Sequence, residues 1–544
     1  MTRQTTTRHA EVILCAKEVV HTEIGFASQG AETCVAIAHG RIIAVGGSEV
    51  LDAWRGPDTQ VHEYGQNATI LPGLVDGHAH PVWGSESTGG RLAMSGLTTL
   101  DEVRERLAEA VENTPSDEWI TGHDFDLNVY PGEPNGRVFG EWFAGRKISL
   151  MTRDAHALIV SPAAVTALGL TGNETFADAS VIVADADGPT GWVVELQAMD
   201  LVLGRYPQQS LEAQAAYLFA ALHTFAANGL TGVHALDFHD PSEQLFEMLE
   251  AAGELPVKVR CSPLVPADSS PEEWQQIADL VGRGGRRWRV EGVKFMLDGT
   301  ADNGTAWFDA PDSLGENHAA LWRSTDAYRE AVRFFTERDI PTATHAIGDG
   351  AVRFVLDVVE AVGHAPSAPH RIEHIESIPD ELLERFAALG VVAGLQPTHA
   401  TRLIEPDQSD GWSRRIGPER VAHGWRVRDL LDHGADVVLS SDWPIGVGDP
   451  RTSLADAQLR RPVDQPGRAL TQPNQRINAT EAYRAMTVAP AIAAGVAHEL
   501  GRVAVGYRAD LAVFAENPLR LDPEAQAGNP VLATYLDGQR IELP

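Results

Sequence analysis

Residues 68–80 read ATILPGLVDGHAH, an apolar run that ends in His78-x-His80. A strand alternates its side chains, so two residues separated by one point to the same side. Two imidazoles delivered together at a strand end can grip one cation. Seven further short apolar runs follow: TGVHAL (231–236), VKVRCS (257–262), VEGVKFML (290–297), PTATHA (341–346), RIEHIE (371–376), VVAGLQP (391–397) and DVVLSSD (436–442). Helical stretches such as TDAYREAVRFFTERD and PDELLERFAALG fall between several of them. The clearest helix spans residues 210–230, Ala/Leu-rich with helical apolar spacing and a stop at Asn228-Gly229. Repeated strand–helix alternation predicts a parallel sheet, and eight strands fit a (β/α)8 barrel of the α/β class.

The two ends of the chain read differently. Residues 10–70 are β-structure, with CVAIAHGRIIAVGG turning at His39-Gly40. Near the other end, GYRADLAVFAENP and VLATYLDGQRIELP are also β-runs, the second turning at Asp537-Gly538. Residues 1–70 and 490–544 are therefore expected to form one small sheet-rich domain beside a barrel over 71–489. Residues 85–205 fit the alternation poorly. Polar-aromatic pieces such as SDEWITGHDFDLNVYPGEPNG and the loop-like VADADGPTGW mark a large insertion after the first barrel strand, where insertions shape active sites.

The chain has 544 residues and a net charge of −33, from 43 basic and 76 acidic residues. A surface this acidic repels phosphate backbones and anionic lipid, so neither nucleic acid nor a membrane is expected as a partner. The three cysteines, Cys15, Cys34 and Cys261, are odd in number, widely spaced and without a CxxC pair. That argues against a disulfide scaffold and for a reducing compartment. With no secretory signal and no apolar run of bilayer length, a cytoplasmic location is expected.

Polar residues recur at the ends of the barrel runs: His78 and His80, Lys294, His345, His374 and Asp442. In a barrel those ends converge on one face. Several imidazoles and a carboxylate make a nitrogen/oxygen site suited to zinc and its neighbours. Isolated histidines such as His156, His364, His423 and His433 read as structural. Lys294 stands out, because an ammonium beside a metal would be repelled. A buried lysine loses its proton readily, and the neutral amine can take up carbon dioxide to give a bridging carbamate. The competing reading is an ion pair of Lys294 with Asp298 or Glu195.

These pieces in order resemble the amidohydrolase superfamily, specifically the amidohydrolase family 3, YtcJ-like group that includes N-substituted formamide deformylases. The match is carried by LPGLVDGHAH, GPTGWVVE around Glu195, VKFMLDGT, THAIGDGA, HRIEHIE, GLQPTHA, LSSDWPIG and GRVAVGYRADLAVFAENPL, spread over almost the whole chain. The resemblance implies a distorted TIM barrel with a β-sandwich built from both termini. It implies one or two divalent metals, commonly zinc, held by His78, His80, Lys294, His345, His374 and Asp442, with Lys294 N-carboxylated in binuclear members. Glu195 is a candidate for one more carboxylate near the metals.

The reaction implied is hydrolysis of a C–N bond in a small molecule. The metal activates water, Asp442 acts as general base and then general acid, and His374 helps to stabilise the oxyanion. Trp83, Trp119, Phe125, Trp307, Phe308 and Trp443 suggest an apolar or aryl substrate such as an N-benzyl formamide. Trp83, Phe125, Glu195, Asp298, Gln396 and Trp443 are the candidate substrate-contacting residues. Carbamate, urea or ester hydrolysis by the same site, and a non-catalytic scaffold of the same fold, are the alternatives. The sequence leaves the assembly state open, a homodimer included.

Overall fold

The computed structural model describes residues 9–20, 33–130, 132–206, 209–322 and 324–542. Its centre is a parallel sheet of eight principal strands. These are β1 (Leu74–Ala79), β2 (Leu230–Phe238), β3 (Lys258–Val265), β4 (Val293–Met296), β5 (Thr342–Ala346), β6 (Arg371–His374), β7 (Val392–Leu395) and β8 (Val437–Leu439), hydrogen-bonded in sequential order from β1 to β8. One short strand, Trp288–Val290, pairs with β3 beside this path. Strands β2, β5, β6, β7 and β8 are buried at every residue, because helices cover their outer face and the barrel interior covers the other. This is why they read as continuous apolar runs rather than as alternating ones.

Between β8 and β1 the ring closes through a few specific bonds. The Asp442 backbone N–H donates to His78 O at 2.8 Å, and Ser441 donates from its backbone N–H to Asp76 Oδ1 at 3.0 Å. Val438 leans into the space left by Gly77, where a Cβ would lie 2.1 Å from its Cγ1. Inside the barrel, Arg371 pairs with Glu373 at 2.8 Å and donates to Gly77 O at 2.7 Å.

The covering helices follow from local rules. Helix 211–227 starts where the Ser210 hydroxyl accepts from the Ala213 N–H, and it stops before Gly229, whose φ is +88°. Ala215, Leu218, Leu222, Phe225 and Ala226 form its buried stripe against the barrel core. Each large side chain in such a stripe contributes about 1.5–3 kcal/mol of burial.

Both chain ends contribute to two sheets around a shared core that includes Leu14, Val35, Ile37, Ile70, Val513 and Tyr535. One sheet has four strands (Val12–Cys15, Cys34–Ala38, Arg41–Gly46, Gln60–Glu63). The other has five (Glu18–Val19, Thr69–Pro72, Leu511–Phe514, Val531–Leu536, Gln539–Arg540). Both hairpin turns expected from sequence are present. His39 and Gly40, and Asp537 and Gly538, all have positive φ, the requirement of a tight two-residue hairpin. The strand Thr69–Pro72 runs through Gly73 directly into β1, and Lys258 of β3 binds Asp510 and Asp537, so this double sheet is fixed to the barrel.

Two expectations are corrected. Cys15 and Cys34 oppose each other across an antiparallel pair, with Cα atoms 4.3 Å apart, and form a disulfide, while Cys261 stays free and buried. Their spacing in sequence gave no sign of a pair that strand register creates. The segment 85–205 lies between β1 and β2, and its VADADGPTGW stretch, expected to be loop-like, is not a loop. The segment carries a six-stranded sheet (Leu92–Ala93, Trp119–Phe125, Lys147–Thr152, Ala157–Val160, Val181–Asp185, Gly188–Val194) with its own apolar clusters. VADADGPTGW is a hairpin between its last two strands. Among the described residues no helix is long and apolar enough to cross a membrane.

Candidate metal centre and active-site cavity

His78 and His80 leave the end of β1 two residues apart and turn inward together. His78 is fully buried, and its Nδ1–H donates to Glu373 Oε2 at 2.9 Å. That bond fixes the tautomer and leaves Nε2 with its lone pair facing the centre. There it meets His80 Nε2 at 3.3 Å and Asp442 Oδ1 at 3.2 Å, while His80 Nε2 lies 3.0 Å from the same oxygen. Three donor atoms at such separations suit one ion held at about 2.0–2.2 Å from each.

A second group shares Asp442. His374, His399 and Asp442 place one ligand atom each within 4.8 Å of one another. Asp442 Oδ2 faces them, 3.8 Å from His399 Nε2. The Gln396 carbonyl oxygen accepts from His374 Nδ1 at 3.0 Å, again freeing Nε2. His345 joins the cluster with its ring centroid 4.3 Å from that of His374, and its Nε2–H donates to Gly299 O at 3.3 Å. Lys294 points in from β4, its Nζ 3.5 Å from His78 Nε2.

The electrostatics favour a cation. Burial, reinforced by neighbouring positive groups, pushes His78, His345 and His374 far below the ordinary imidazole range, so they are neutral and ligand-ready. Burial alone would raise Asp442, but the His80 hydrogen bond and the charges of His80, His399 and Lys294 outweigh it and keep the carboxylate ionised. Burial pushes Lys294 down to about 8, against the pull of Glu373 and Asp442. His399 Nε2 is buried with no hydrogen-bond partner among the described residues. An orphaned polar atom of this kind costs about 1–3 kcal/mol, and a cation satisfies it. The donor set therefore fits a divalent metal.

Backbone strain gathers at the same place. His374 (φ +75°), Ile375 (φ +49°), Asp442 (φ +56°) and Glu195 (φ +69°) all occupy the left-handed region without being glycine. Each costs on the order of 1–3 kcal/mol, and the surrounding packing must hold it. The cluster forms the floor of a cavity of about 1300 Å³, walled by barrel loops and by the inserted sheet through Trp119, Met151, His156 and Tyr206.

All six residues expected as ligands meet at this floor. The remaining expectations divide. Trp83 and Trp119 line the cavity, and Gln396 lies beneath His374. Phe125 does not reach the cavity: it is packed in the core of the inserted sheet, 6.1 Å from the Tyr130 ring. Trp443 turns away to meet Phe225 edge-on at 5.5 Å, in the space left by Gly84. Trp307 and Phe308 lie outside the lining.

Asp298 accepts backbone N–H groups from Trp307, Ile347 and Gly348 and braces the floor from below rather than contacting substrate. Glu195 is no extra metal carboxylate. Its oxygens are taken by His156 Nδ1 at 3.0 Å and the Thr305 hydroxyl at 2.5 Å. Neither Asp298 nor Glu195 pairs with Lys294, so that ion-pair reading falls.

Sequence reasoning missed His399 and His156. His399 follows the end of β7 in GLQPTHA, and its position beyond a barrel strand was the available signal. His156 comes from the insertion, where strand assignment had failed. Burial would lower it, but Glu195 raises it to about 9.

Comparison with known proteins adds to this geometry. The amidohydrolase family matches residues 66–541. Bacillus subtilis YtcJ is 28% identical over 521 residues, covering 93% of this chain and 95% of that one. An N-substituted formamide deformylase of Arthrobacter pascens is 26% identical over 534 residues, covering 93% and 94%. Protein LONG AFTER FAR-RED 3 of Arabidopsis thaliana is 27% identical over 536 residues, covering 93% and 88%. The crystal structure of an uncharacterized metal-dependent hydrolase from Pyrococcus horikoshii OT3 superposes with a TM-score of 0.72 at 21% identity, covering 94% of this chain and 99% of that one.

Proposed function

The chain belongs to the amidohydrolase family, and from that premise we propose that it is a metal-dependent hydrolase cleaving the C–N bond of a small amide. N-substituted formamides with an apolar or aryl substituent are the first candidates. The observation that carries the reading is Asp442, whose Oδ1 meets the His78/His80 pair while its Oδ2 faces His374 and His399 on the cavity floor.

His78, His80, Lys294, His345, His374 and Asp442 would hold a divalent cation, zinc being the first candidate, which would supply Lewis acidity and acidify water enough to ionise near neutral pH. The protein's own groups do the rest. Asp442 accepts the proton of the attacking water and returns it to the departing nitrogen, first base and then acid. His374, whose Nδ1–H is held by the Gln396 carbonyl oxygen, turns a free Nε2 lone pair to the site and serves as a ligand rather than as a donor to the carbonyl oxygen. Lys294, buried and easily neutral, attacks carbon dioxide through its amine lone pair and loses a proton, leaving an anionic carbamate among the imidazoles. The inserted sheet and the barrel loops exclude bulk water and hold the apolar part of the substrate.

The likeness to a relative named as an N-substituted formamide deformylase supports formamides ahead of other amides as candidates. A turnover screen of N-benzylformamide, N-acyl amines, carbamates, ureas and esters, with metal content measured on the same sample, tests the proposal. The expected result is formamide cleavage that a chelator abolishes and zinc restores. Cleavage of carbamates or esters alone would move the substrate class. No turnover of any of them by metal-loaded protein would sink the hydrolase reading.

A further inference from the structure

The barrel interior carries charge that takes no part in the reaction. Arg371 and Glu373 stand two residues apart on β6, so both side chains turn to the same side of the strand. Gly77 and His78 of β1 and His234 of β2 meet them there. Glu373 Oε2 accepts from His78 Nδ1 at 2.9 Å, and Glu373 Oε1 lies 2.8 Å from the Arg371 guanidinium in an ion pair. Arg371 in turn donates from Nη1 to His234 Nδ1 at 2.9 Å and from Nη2 to Gly77 O at 2.7 Å. His78 and Glu373 are fully buried, Arg371 is 6% exposed and His234 5%. The four side chains form one closed column that ends on a residue expected to hold metal.

Each link fixes where the next one keeps its hydrogens. A guanidinium only donates, so His234 must offer it a bare Nδ1. Burial, then the charges of Arg371 and Arg260, hold His234 far below the ordinary imidazole range, so its ring is neutral and can accept. On the other side, Arg371 and His78 are the ion-pair partners of Glu373 among the described residues. A carboxylate paired with a guanidinium has no hydrogen to give, so Oε2 can only accept and the His78 hydrogen sits on Nδ1. Nε2 is then bare where it meets His80 and Asp442.

Stability is a poor account of this pair. A buried ion pair loses about as much in desolvation as it gains, and apolar side chains of equal volume often serve as well or better. What the guanidinium supplies, and an apolar residue does not, is direction.

We propose that Arg371 is a positioning residue of the metal centre: it acts through Glu373 to set which ring nitrogen of His78 faces the ion, with His234 holding the guanidinium in place. The effect on metal affinity rests on the reading of the cluster as a metal site; the choice of nitrogen belongs to the protein alone.

Glutamine at position 373 separates this role from packing. Its amide has one accepting and one donating end. In Glu373→Gln the oxygen turns to the guanidinium and the NH2 faces His78, so the ring hydrogen moves to Nε2. In the double variant Arg371→Met/Glu373→Gln the oxygen is free to turn back to His78. Competition of the full-length protein with a chromogenic chelator should show zinc binding about 10–100-fold weaker in Glu373→Gln, recovered to within about tenfold of the unaltered protein in the double variant. In metal-free protein, nitrogen-15 shifts of labelled histidines, with His78 assigned by its loss in His78→Gln, should report Nδ1–H in the unaltered protein and the double variant, and Nε2–H in Glu373→Gln. A double variant that binds zinc no better than Glu373→Gln would overturn the proposal, because a second lost packing contact adds damage and does not repair it. His78 carrying its hydrogen on Nε2 in the unaltered protein would overturn it even if neither column variant folds. If the unaltered protein takes up no zinc, the metal reading falls and the position of the His78 hydrogen decides the role of Arg371 by itself.

Discussion

The proposed mechanism gives the two oxygens of Asp442 two tasks, and the geometry makes them separable. Oδ1 lies 3.0–3.2 Å from the β1 imidazoles, whereas Oδ2 stands nearly 4 Å from His374 and His399. Asp442→Asn keeps an oxygen for the metal but removes the base. Turnover of a cleaved amide should fall by about 10²–10⁴-fold with KM little changed. Near-normal turnover at full metal content would exclude Asp442 as the proton carrier. Lys294 gives a pH prediction. The form that reacts with carbon dioxide is the neutral amine, which gains population as pH rises through about 8. Carbamate formation, followed by carbon-13 NMR in labelled bicarbonate, should therefore increase from pH 6.5 to 8.5 and be absent in Lys294→Ala.

At the scale of elements, the seam between β1 and β8 is the most sensitive joint of the barrel. It positions His78 against Asp442 through one backbone hydrogen bond, and Gly77 leaves room there for Val438. Gly77→Ala should destabilise the protein by about 1–3 kcal/mol by overpacking, read as a lower denaturant midpoint, and should weaken metal retention at the same time. A loss of stability with unchanged metal affinity would show that the seam does not set the site. The β1–β8 runs and the two terminal hairpins were legible because burial on both faces, and turn residues with positive φ, leave marks in the sequence. The inserted sheet was not legible. Its strands are short and irregularly spaced, joined in mixed parallel and antiparallel order, and their partners are set by tertiary contacts.

For the whole molecule, the expected ligands come from the ends of β1, β4, β5, β6 and β8, so a bound metal ties together most of the barrel rim. Because only the folded chain assembles that set, metal should stabilise folding by about 2.7–4 kcal/mol at 100–1000 times its dissociation constant. Stripping the metal with a chelator should lower the melting temperature, and adding zinc back should restore it. A melting temperature indifferent to both would mean that the cluster holds no metal in solution. The net charge of −33 acts at this scale too, because an acidic surface raises the local concentration of metal cations around the protein.

Sequence alone determined the barrel strands, the sheet-forming ends and six residues of the candidate site. Strand periodicity and buried apolar runs are local, and His78-x-His80 carries its geometry in its own spacing. Tertiary structure decided what depends on distant partners. It brought His399 and His156 to the cavity, gave Glu195 to His156, and withdrew Phe125 and Trp443 into packing. It also joined Cys15 to Cys34. None of these is a property of neighbouring residues: each arises when segments far apart in the chain bury a shared surface, and only the fold fixes which polar groups are then left to find one another.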